Sequence, residues 1–237
     1  MKPILFLLNM PIEGPGTIKT FLEERNISFT IRDLYNGQPI PSDLSSFGAL
    51  VVLGGPMNVD EEEKYPFLRE EKRFIREGVT RNIPILGICL GAQLLAASVG
   101  ACVRKNEHSE IGWMSVDLTE EGKKSTIFKG VSSPVSIFQW HGDAFEIPPN
   151  AKHLAYSSLC RNQAFGIDER FFGLQFHIEV NAEIAEEWAG TYLAEFAEED
   201  RPAIMKLLEK KETEPTQVAA GIANRLYTNF FVRIAGY

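Results

Sequence analysis

The sequence predicts an α/β fold in which a mostly parallel central sheet is flanked by helices, and three observations predict it. Apolar runs of strand length alternate with helix-period segments through the N-terminal part, the pattern of βαβ units. From Gly112 to Phe176 the texture changes to short strands separated by turns, so the second half is strand-rich and includes candidate antiparallel pairs. Beyond Val180 the chain turns helical and acidic. With 237 residues, 44% of them hydrophobic and 24% charged, it can bury one sizeable core, and one elaborated domain is favoured over two.

Pro3–Leu8 reads as the first buried strand. The opening MKPILFLLNMP is too short to span a membrane and shows no small-residue cleavage site before the Glu13-Gly14-Pro15 turn. A helix is expected over Thr17–Arg25, and strands over Ser28–Arg32 and Leu50–Leu53. In the next helix, Tyr65–Glu77, Pro66 suits the first turn and Phe67, Leu68, Phe74 and Ile75 recur at helical spacing. Its charges, Arg69, Glu70, Lys72, Arg73 and Arg76, read as a solvated face. Strand Ile83–Ile88 leads into helix Gly91–Val99. A polar loop follows from Arg104 to Glu110, then strands at Trp113–Leu118, Val135–Trp140, His153–Ala155, Gln163–Ile167 and Phe172–Phe176. The C-terminal part is expected as helices Ala182–Glu198 and Pro202–Lys211, a break at Thr213-Glu214-Pro215-Thr216, and an amphipathic stretch Gln217–Ile234. The aromatics of that last stretch are expected to pack back on the core.

A net charge of -8 without clustered Lys and Arg argues against nucleic acid as a partner. Three unpaired cysteines at irregular spacing give neither a disulfide framework nor paired metal-ligand spacing, and with no export signal they point to a reducing cytoplasm.

The chemistry is concentrated at Gly87-Ile88-Cys89-Leu90-Gly91. A cysteine at a turn from an apolar strand into a small-residue helix is forced outward, and glycines two positions to either side relieve the crowding of the tight turn. The helix N-terminus favours an anionic sulfur there. Cys89 therefore reads as a nucleophile, whereas Cys102 and Cys160 lack such a setting and read as inert.

A thiolate nucleophile calls for an imidazole, and the imidazole for a group that holds its tautomer. Of the four histidines, His108 and His153 have no evident orienting partner nearby. His141, in Gln139-Trp140-His141-Gly142-Asp143, and His177, in Gln175-Phe176-His177-Ile178-Glu179, each have a carboxylate two residues on, so spacing alone does not choose between them. His177 is favoured because it ends a strand-like run, and the C-terminal edge of a parallel sheet is also where the elbow opens. Gly54-Gly55-Pro56 follows a strand as well; the Gly55 N–H, paired with the Leu90 N–H, can face a developing oxyanion, although the triplet taken alone is a common turn.

With Gly54-Gly55-Pro56, Gly87-Ile88-Cys89-Leu90-Gly91-Ala92-Gln93, Trp140-His141-Gly142-Asp143 and Gln175-Phe176-His177-Ile178-Glu179 in this order, the chain resembles the class I (triad) glutamine amidotransferases. Within them it is similar to the amidotransferase-domain branch of GMP synthetase. The motifs span about residues 45 to 180. The resemblance implies a flavodoxin-like fold, with residues 1–180 as the amidotransferase domain and 181–237 as a helical extension packed on it. It implies Cys89 as nucleophile, His177 as base and Glu179 as its orienter. It also implies Gly55 and Leu90 as oxyanion donors, Gln93 as a contact to bound glutamine, and Trp140, His141, Gly142 and Asp143 as a loop over the amino-acid head group. No metal or organic cofactor is implied. Ile178 departs from the family, which usually has proline between the histidine and the glutamate.

The implied activity is hydrolysis of the glutamine side-chain amide through a γ-glutamyl thioester. No phosphate loop of an ATP-pyrophosphatase accompanies the motifs, and Gly122-Lys123-Lys124-Ser125 lacks the spacing of one. The ammonia then goes to a separate synthetase subunit, or the reaction ends with hydrolysis. Two alternatives stand beside this one. One is a γ-glutamyl peptidase or hydrolase acting on another γ-glutamyl amide, with Trp140 favouring a bulkier substrate. The other is a catalytically silent regulatory or binding subunit, against which the intact Cys89, His177 and Glu179 count.

Overall fold

A computed structural model describes residues 1–199, 201–208 and 214–237. The N-terminal part alternates β1 (Ile4–Leu8), α1 (Gly16–Glu24), β2 (Phe29–Asp33), β3 (Ala49–Val52), α2 (Phe67–Thr80), β4 (Ile85–Ile88) and α3 (Leu90–Ser98). There follow β5 (Val103–Leu118), a short helix α4 (Glu120–Lys124), β6 (Val135–Phe145), β7 (Lys152–Tyr156), β8 (Ala164–Ile167) and β9 (Phe171–Leu174). Helices α5 (Ala182–Tyr192), α6 (Arg201–Leu208) and α7 (Glu214–Tyr227) complete the chain, and α7 continues as a π-helical stretch, Thr228–Ile234.

One sheet holds all nine strands, in the order β2-β1-β3-β4-β9-β8-β7-β5-β6. The first five are parallel neighbours, and from β9 outward each pairing is antiparallel. Strands buried on both faces explain the continuous apolar runs of the N-terminal part. Ile4, Phe6 and Leu8 face one core with Val51, Leu53 and Ile88. Leu5 and Leu7 face the other with Leu50, Val52 and Ile85. The first core is covered by Ile18, Phe21 and Leu22 of α1 and by Leu226, Tyr227, Phe230 and Phe231 at the C-terminus. The second is covered by α2 and α3 through Leu68, Phe74, Ile75, Leu94 and Leu95.

The N-terminal elements fall within a few residues of the expected ranges, but four features differ. Trp140–Asp143, expected as a loop beyond a strand ending at Trp140, is the continuation of β6, paired with β5. The expected polar loop at Arg104–Glu110 is part of the 16-residue strand β5. Antiparallel pairing with β6 supplies its backbone hydrogen bonds, and a register shift between Lys105 and Glu110 accommodates the irregular polar pattern. α5 stops at Tyr192, where a 3₁₀ turn Leu193–Glu195 closes it before the expected end. Residues Glu214 to Thr216 belong to α7 instead of forming a break, since a proline is tolerated in the first helical turn. Thr213 of that expected break, and the end of the expected helix at 209–211, lie outside the described residues. Gly122 lies in α4, where a Cβ would meet the Leu154 carbonyl oxygen at 1.9 Å; this is a packing role, not a nucleotide loop. No helix among the described residues is long and apolar enough to cross a membrane.

A buried carboxyl sits under the helical layer at α2. Glu71 of α2 is fully buried, and burial pushes its carboxyl up to about 8, with the Asn9 side chain opposing. In the unfolded chain such a group titrates near about 4.3. Between the two values the unfolded state has lost the proton that the native state keeps, so stability falls as pH rises, by up to about 1.4 kcal/mol per pH unit. Glu71→Gln, which removes the titration, should gain in thermal midpoint over the wild type progressively from about pH 5 to about pH 8. A difference that stays flat across this window would contradict the assignment.

Candidate active site

The strand order 2-1-3-4 places a topological switch between β1 and β3, and in open α/β sheets ligands bind outside the carboxyl ends of strands at such a point. The loops that leave the carboxyl ends of β1, β3, β4 and β9 carry Glu13, Gly54 and Gly55, Cys89, and His177 with Glu179. They meet at a cavity of about 320 Å³ lined by Glu13, Gly55, Cys89, Gln93, Trp140 and Trp188, among others.

Cys89 is the N-cap of α3 with φ 51° and ψ -111°, a conformation that L-residues adopt only under constraint. Its amide donates to the Leu174 carbonyl at 2.8 Å, and its carbonyl accepts from the Gln93 amide at 3.0 Å, so the strained residue is tied to β9 behind and α3 ahead. Both flanking glycines are obligatory. A Cβ on Gly91 would stand 2.0 Å from the Val52 carbonyl oxygen, and one on Gly87 would stand 2.5 Å from the Gly91 carbonyl oxygen. The helix therefore begins hard against β3 and β4, with the sulfur turned to the cavity. Leu90 opens α3, and a first-turn N–H has no acceptor within the helix. Gly55 comes close to it: a Cβ there would meet Leu90 Cδ2 at 2.9 Å, Met57 Sδ at 3.0 Å and Asn9 Cβ at 3.2 Å.

His177 is buried, and its Nδ1 lies 2.6 Å from Glu179 Oε1. The Trp188 ring stands edge-on at 4.9 Å from the imidazole, and the His177 amide donates to the Phe138 carbonyl at 2.9 Å. Burial alone would push the imidazole down, but the Glu179 carboxylate and the Cys89 sulfur push it up by more, so it lies well above the ordinary histidine range. With Nδ1 committed to Glu179, Nε2 is the nitrogen left for Cys89. No hydrogen bond closes onto Nε2 among the described residues, the looser geometry usual before a substrate arrives.

Other sequence-derived candidates take different places. Gln93 lines the cavity, but its side-chain nitrogen already donates to the Asp143 carbonyl and to Gln175 Oε1, both at 3.2 Å. Gln175 in turn brings its nitrogen to 3.7 Å from Cys89 Sγ. Trp140 forms a wall with Trp188, Tyr192 and Phe196, with ring centroids 5.9 to 6.3 Å from its own. Gly142 lines the cavity, and Asp143 Oδ2 accepts from Asn58 Nδ2 at 2.6 Å. His141 turns inward: Nδ1 faces the Asp143 carbonyl at 3.0 Å and Nε2 faces Glu110 Oε2 at 3.1 Å.

Ligand-type atoms of Glu110, His141 and Cys160 lie within 4.8 Å of one another. The Glu110 carboxylate in this group is engaged by hydrogen bonds from neighbouring side chains. Ser157 and Gln163 donate to the two Glu110 oxygens at 2.7 and 2.6 Å, and burial pushes the Cys160 thiol up to about 11, so it keeps its proton. Glu13, Asn58, Gln175, Trp188 and Tyr192 were missed from sequence. Glu13, Trp188 and Tyr192 come from elements remote in the chain from the motifs, whereas Gln175 opens the His177 motif and Asn58 closely follows Gly54-Gly55-Pro56, so for these two the signal was proximity to a motif.

The pattern of the glutamine amidotransferase class-I family matches residues 17–193. The glutamine amidotransferase-like protein YfeJ of Salmonella typhimurium is 31% identical over 184 residues, which make up 76% of this chain and 77% of that protein. A subunit of the glutamine-hydrolysing GMP synthase from Saccharolobus solfataricus is 34% identical over 140 residues, 58% of this chain and 70% of that protein. The crystal structure of a glutamine amidotransferase from Thermotoga maritima superposes with a TM-score of 0.88 at 35% identity, covering 100% of this chain and 99% of that one.

Because the backbone of Cys89 is strained, glycine is its most comfortable occupant. Cys89→Gly should be more stable than Cys89→Ala by about 1 kcal/mol in chemical denaturation, reversing the usual order of alanine over glycine. An alanine variant equal to or more stable than the glycine variant would argue that the elbow holds no strain.

Proposed function

The chain belongs to the glutamine amidotransferase class-I family, and from that premise we propose that it hydrolyses the side-chain amide of glutamine through Cys89. The observation that carries this reading is the elbow itself. A cysteine held at positive φ on the first turn of α3 faces a cavity beside an imidazole whose other nitrogen is fixed by a carboxylate at 2.6 Å.

In the proposed sequence the Cys89 sulfur attacks the amide carbon, and negative charge develops on the carbonyl oxygen. The N–H groups of Gly55 and Leu90 face that oxygen and stabilise it. His177, protonated and paired with Glu179, gives its proton to the departing nitrogen, and ammonia leaves a γ-glutamyl thioester. The imidazole then takes a proton from water, hydroxide attacks the thioester, and glutamate is released. Glu179 holds the imidazole in the tautomer that presents Nε2 to the sulfur, the role of the carboxylate in any such triad. The raised position of His177 suits this cycle, since the ring must carry a proton when the amine departs. One relative is named as one of the subunits of a glutamine-hydrolysing GMP synthase, which supports delivery of the ammonia to an acceptor on a separate chain.

A second reading keeps the thioester and changes the leaving group. The cavity of about 320 Å³ lies within the range of sites for drug-sized ligands, and its aromatic wall offers more surface than ammonia needs. This favours a γ-glutamyl amide of a larger amine.

Purified protein should release ammonia and glutamate from glutamine, or an amine from a γ-glutamyl amide panel. Cys89→Ala should abolish turnover, and Glu179→Gln should lower kcat by about 10²–10⁴-fold. An electrophilic glutamine analogue should label the wild type and Cys102→Ala but not Cys89→Ala. A wild type that is neither labelled nor active on any member of the panel would favour a silent binding subunit.

A further inference from the structure

We propose that Gln175 is a catalytic residue of this site, the side-chain donor that holds Cys89 as a thiolate, and that Gln93 is the positioning residue that aims it. The inference deepens the reading of Cys89 as the nucleophile of a γ-glutamyl amide hydrolase and rests on it.

Gln175 follows β9 directly and is fully buried. The end of β9 meets the nucleophile twice. The Leu174 carbonyl accepts the Cys89 amide at 2.8 Å, and the next side chain, that of Gln175, brings Nε2 to 3.7 Å from Cys89 Sγ. The main-chain amide of Gln175 donates to the Gln163 carbonyl at 2.8 Å, which fixes the stem of that side chain.

A side-chain amide can turn its oxygen or its nitrogen to a neighbour, and the hydrogen-bond network decides which. Gln93, one turn along α3 from Cys89, faces the Asp143 carbonyl at 3.2 Å. A carbonyl only accepts, so the group it meets is Gln93 Nε2. The same nitrogen lies 3.2 Å from the Gln175 amide, which must present Oε1 to it and turn its own NH₂ to the sulfur. The reverse orientation would set two NH₂ groups face to face and put an oxygen against Cys89.

A second contact of the sulfur shows which protonation state Gln175 serves. Sγ lies 3.8 Å from the Trp140 carbonyl, a bond that the thiol can donate and the thiolate cannot. When the proton leaves, that carbonyl becomes a repulsive neighbour, while the bond from Gln175 becomes charge-assisted and stronger. Gln175 therefore acts on the ionised form, which is the nucleophile. In acylation the sulfur's electron pair forms the C–S bond and the negative charge passes to the carbonyl oxygen. When water displaces the sulfur, the C–S bond breaks and the pair returns to Sγ, where the same N–H receives it.

The test is alkylation of Cys89 by iodoacetamide, followed by mass spectrometry from mildly acidic to alkaline pH, in the wild type and in Gln175→Met, which keeps the side-chain length and removes the donor. A hydrogen bond to an ionised group shifts the balance of thiol and thiolate by about tenfold. A more basic thiolate is also a better nucleophile, which recovers about threefold of that loss. Gln175→Met should thus react about threefold more slowly than the wild type on the acidic side and about threefold faster once both sulfurs are ionised, so that the two profiles cross. The titratable groups around the sulfur and on the cavity wall, His177 with Glu179, and Glu13, His141 and Asp143, are present in both proteins, so the crossing isolates Gln175. A merely structural loss would slow the reaction at every pH. That result, or coincident profiles, would overturn the proposal.

Should Gln175→Met fail to fold by thermal melt, Gln93→Met, which takes the aiming partner from the Gln175 amide, should give the same crossing with a smaller amplitude; coincident or uniformly slowed profiles would overturn the proposal there too. The reagent needs no glutamine, so the outcomes separate from those of the hydrolase reading. Glutamine turnover by the wild type with coincident profiles refutes this proposal alone. Crossing profiles in a protein that turns over neither glutamine nor any other γ-glutamyl amide refute the hydrolase and leave the donor to the sulfur standing.

Discussion

The close approach of α3 to the sheet governs the geometry of everything around it. With Gly91 against the Val52 carbonyl and Gly87 against the first turn of α3, the helix starts without the intervening loop that a side chain at either position would require. The residue between them has to absorb the whole reversal of chain direction, and Cys89 does so at φ 51°. Strain of this kind persists only where the surroundings over-determine it. Here β9 supplies the acceptor for the Cys89 amide, and α3 uses the Cys89 carbonyl as its first acceptor. A floppy turn would leave the sulfur anywhere on a cone; this one leaves it a single direction. The same constraint brings Leu90, at the start of α3, against Gly55, so the candidate nucleophile and the candidate oxyanion donors are positioned together.

The parallel half of the sheet then supplies partners without any further device. Parallel strands end at the same edge, so β1, β3, β4 and β9 deliver their following loops to one place although they are spread from Ile4 to Leu174. The antiparallel half has a different task. β6 runs alongside the His177 segment through the bridge between Phe138 and His177 and continues into Trp140–Asp143, which closes the cavity from the side. The inner face of that segment is pinned by His141 to Glu110, itself held by Ser157 and Gln163. This stretch of β6 next to solvent thus acquires a buried polar anchor, and the half-buried Trp140 is presented at a fixed angle.

This division explains what could be read from the sequence. The elbow was legible because its determinants are local: two glycines, a strand run and a helix run within a dozen residues. The choice between His141 and His177 was not settled by spacing, because both have an acid two residues on. Geometry separates them. Glu179 folds its carboxylate back to His177, whereas His141 finds its carboxylate 31 positions away, on Glu110. The polar segment Arg104–Glu110 looked like a loop because its strand character comes from pairing with β6, a contact that leaves no periodic trace in so irregular a pattern. Glu13 read as part of a turn, and it is one, its amide bonding to the Met10 carbonyl. That its side chain enters the cavity depends on Gly54 and Tyr192, 41 and 179 positions away.

The segment carrying His177 and Glu179 shows why the C-terminal helix bears on the site despite lying far from the cysteine. Ile178 has no ring to restrict its backbone, so the angle between the two side chains depends on what holds the carbonyls of Ile178 and Glu179. The Ile178 carbonyl accepts from the Tyr227 hydroxyl at 2.5 Å. The Glu179 carbonyl accepts from both the amide and the hydroxyl of Thr17, at 3.0 and 3.2 Å, and Gly16 leaves that carbonyl the room it needs. With the tyrosine proton given to Ile178, the Thr17 hydroxyl proton is shared between the Glu179 carbonyl and the Tyr227 oxygen, 2.8 Å away, and the tyrosine ring stands edge-on to Phe21 in the core. Two successive carbonyls are thereby clamped by α1 and α7, one of which lies near the start of the chain and the other near its end. Burial pushes the Tyr227 hydroxyl up, so at neutral pH it keeps its proton and serves as a donor. The imidazole and carboxylate keep their 2.6 Å contact because the main chain beneath them is bonded to the two helices that cover the first core.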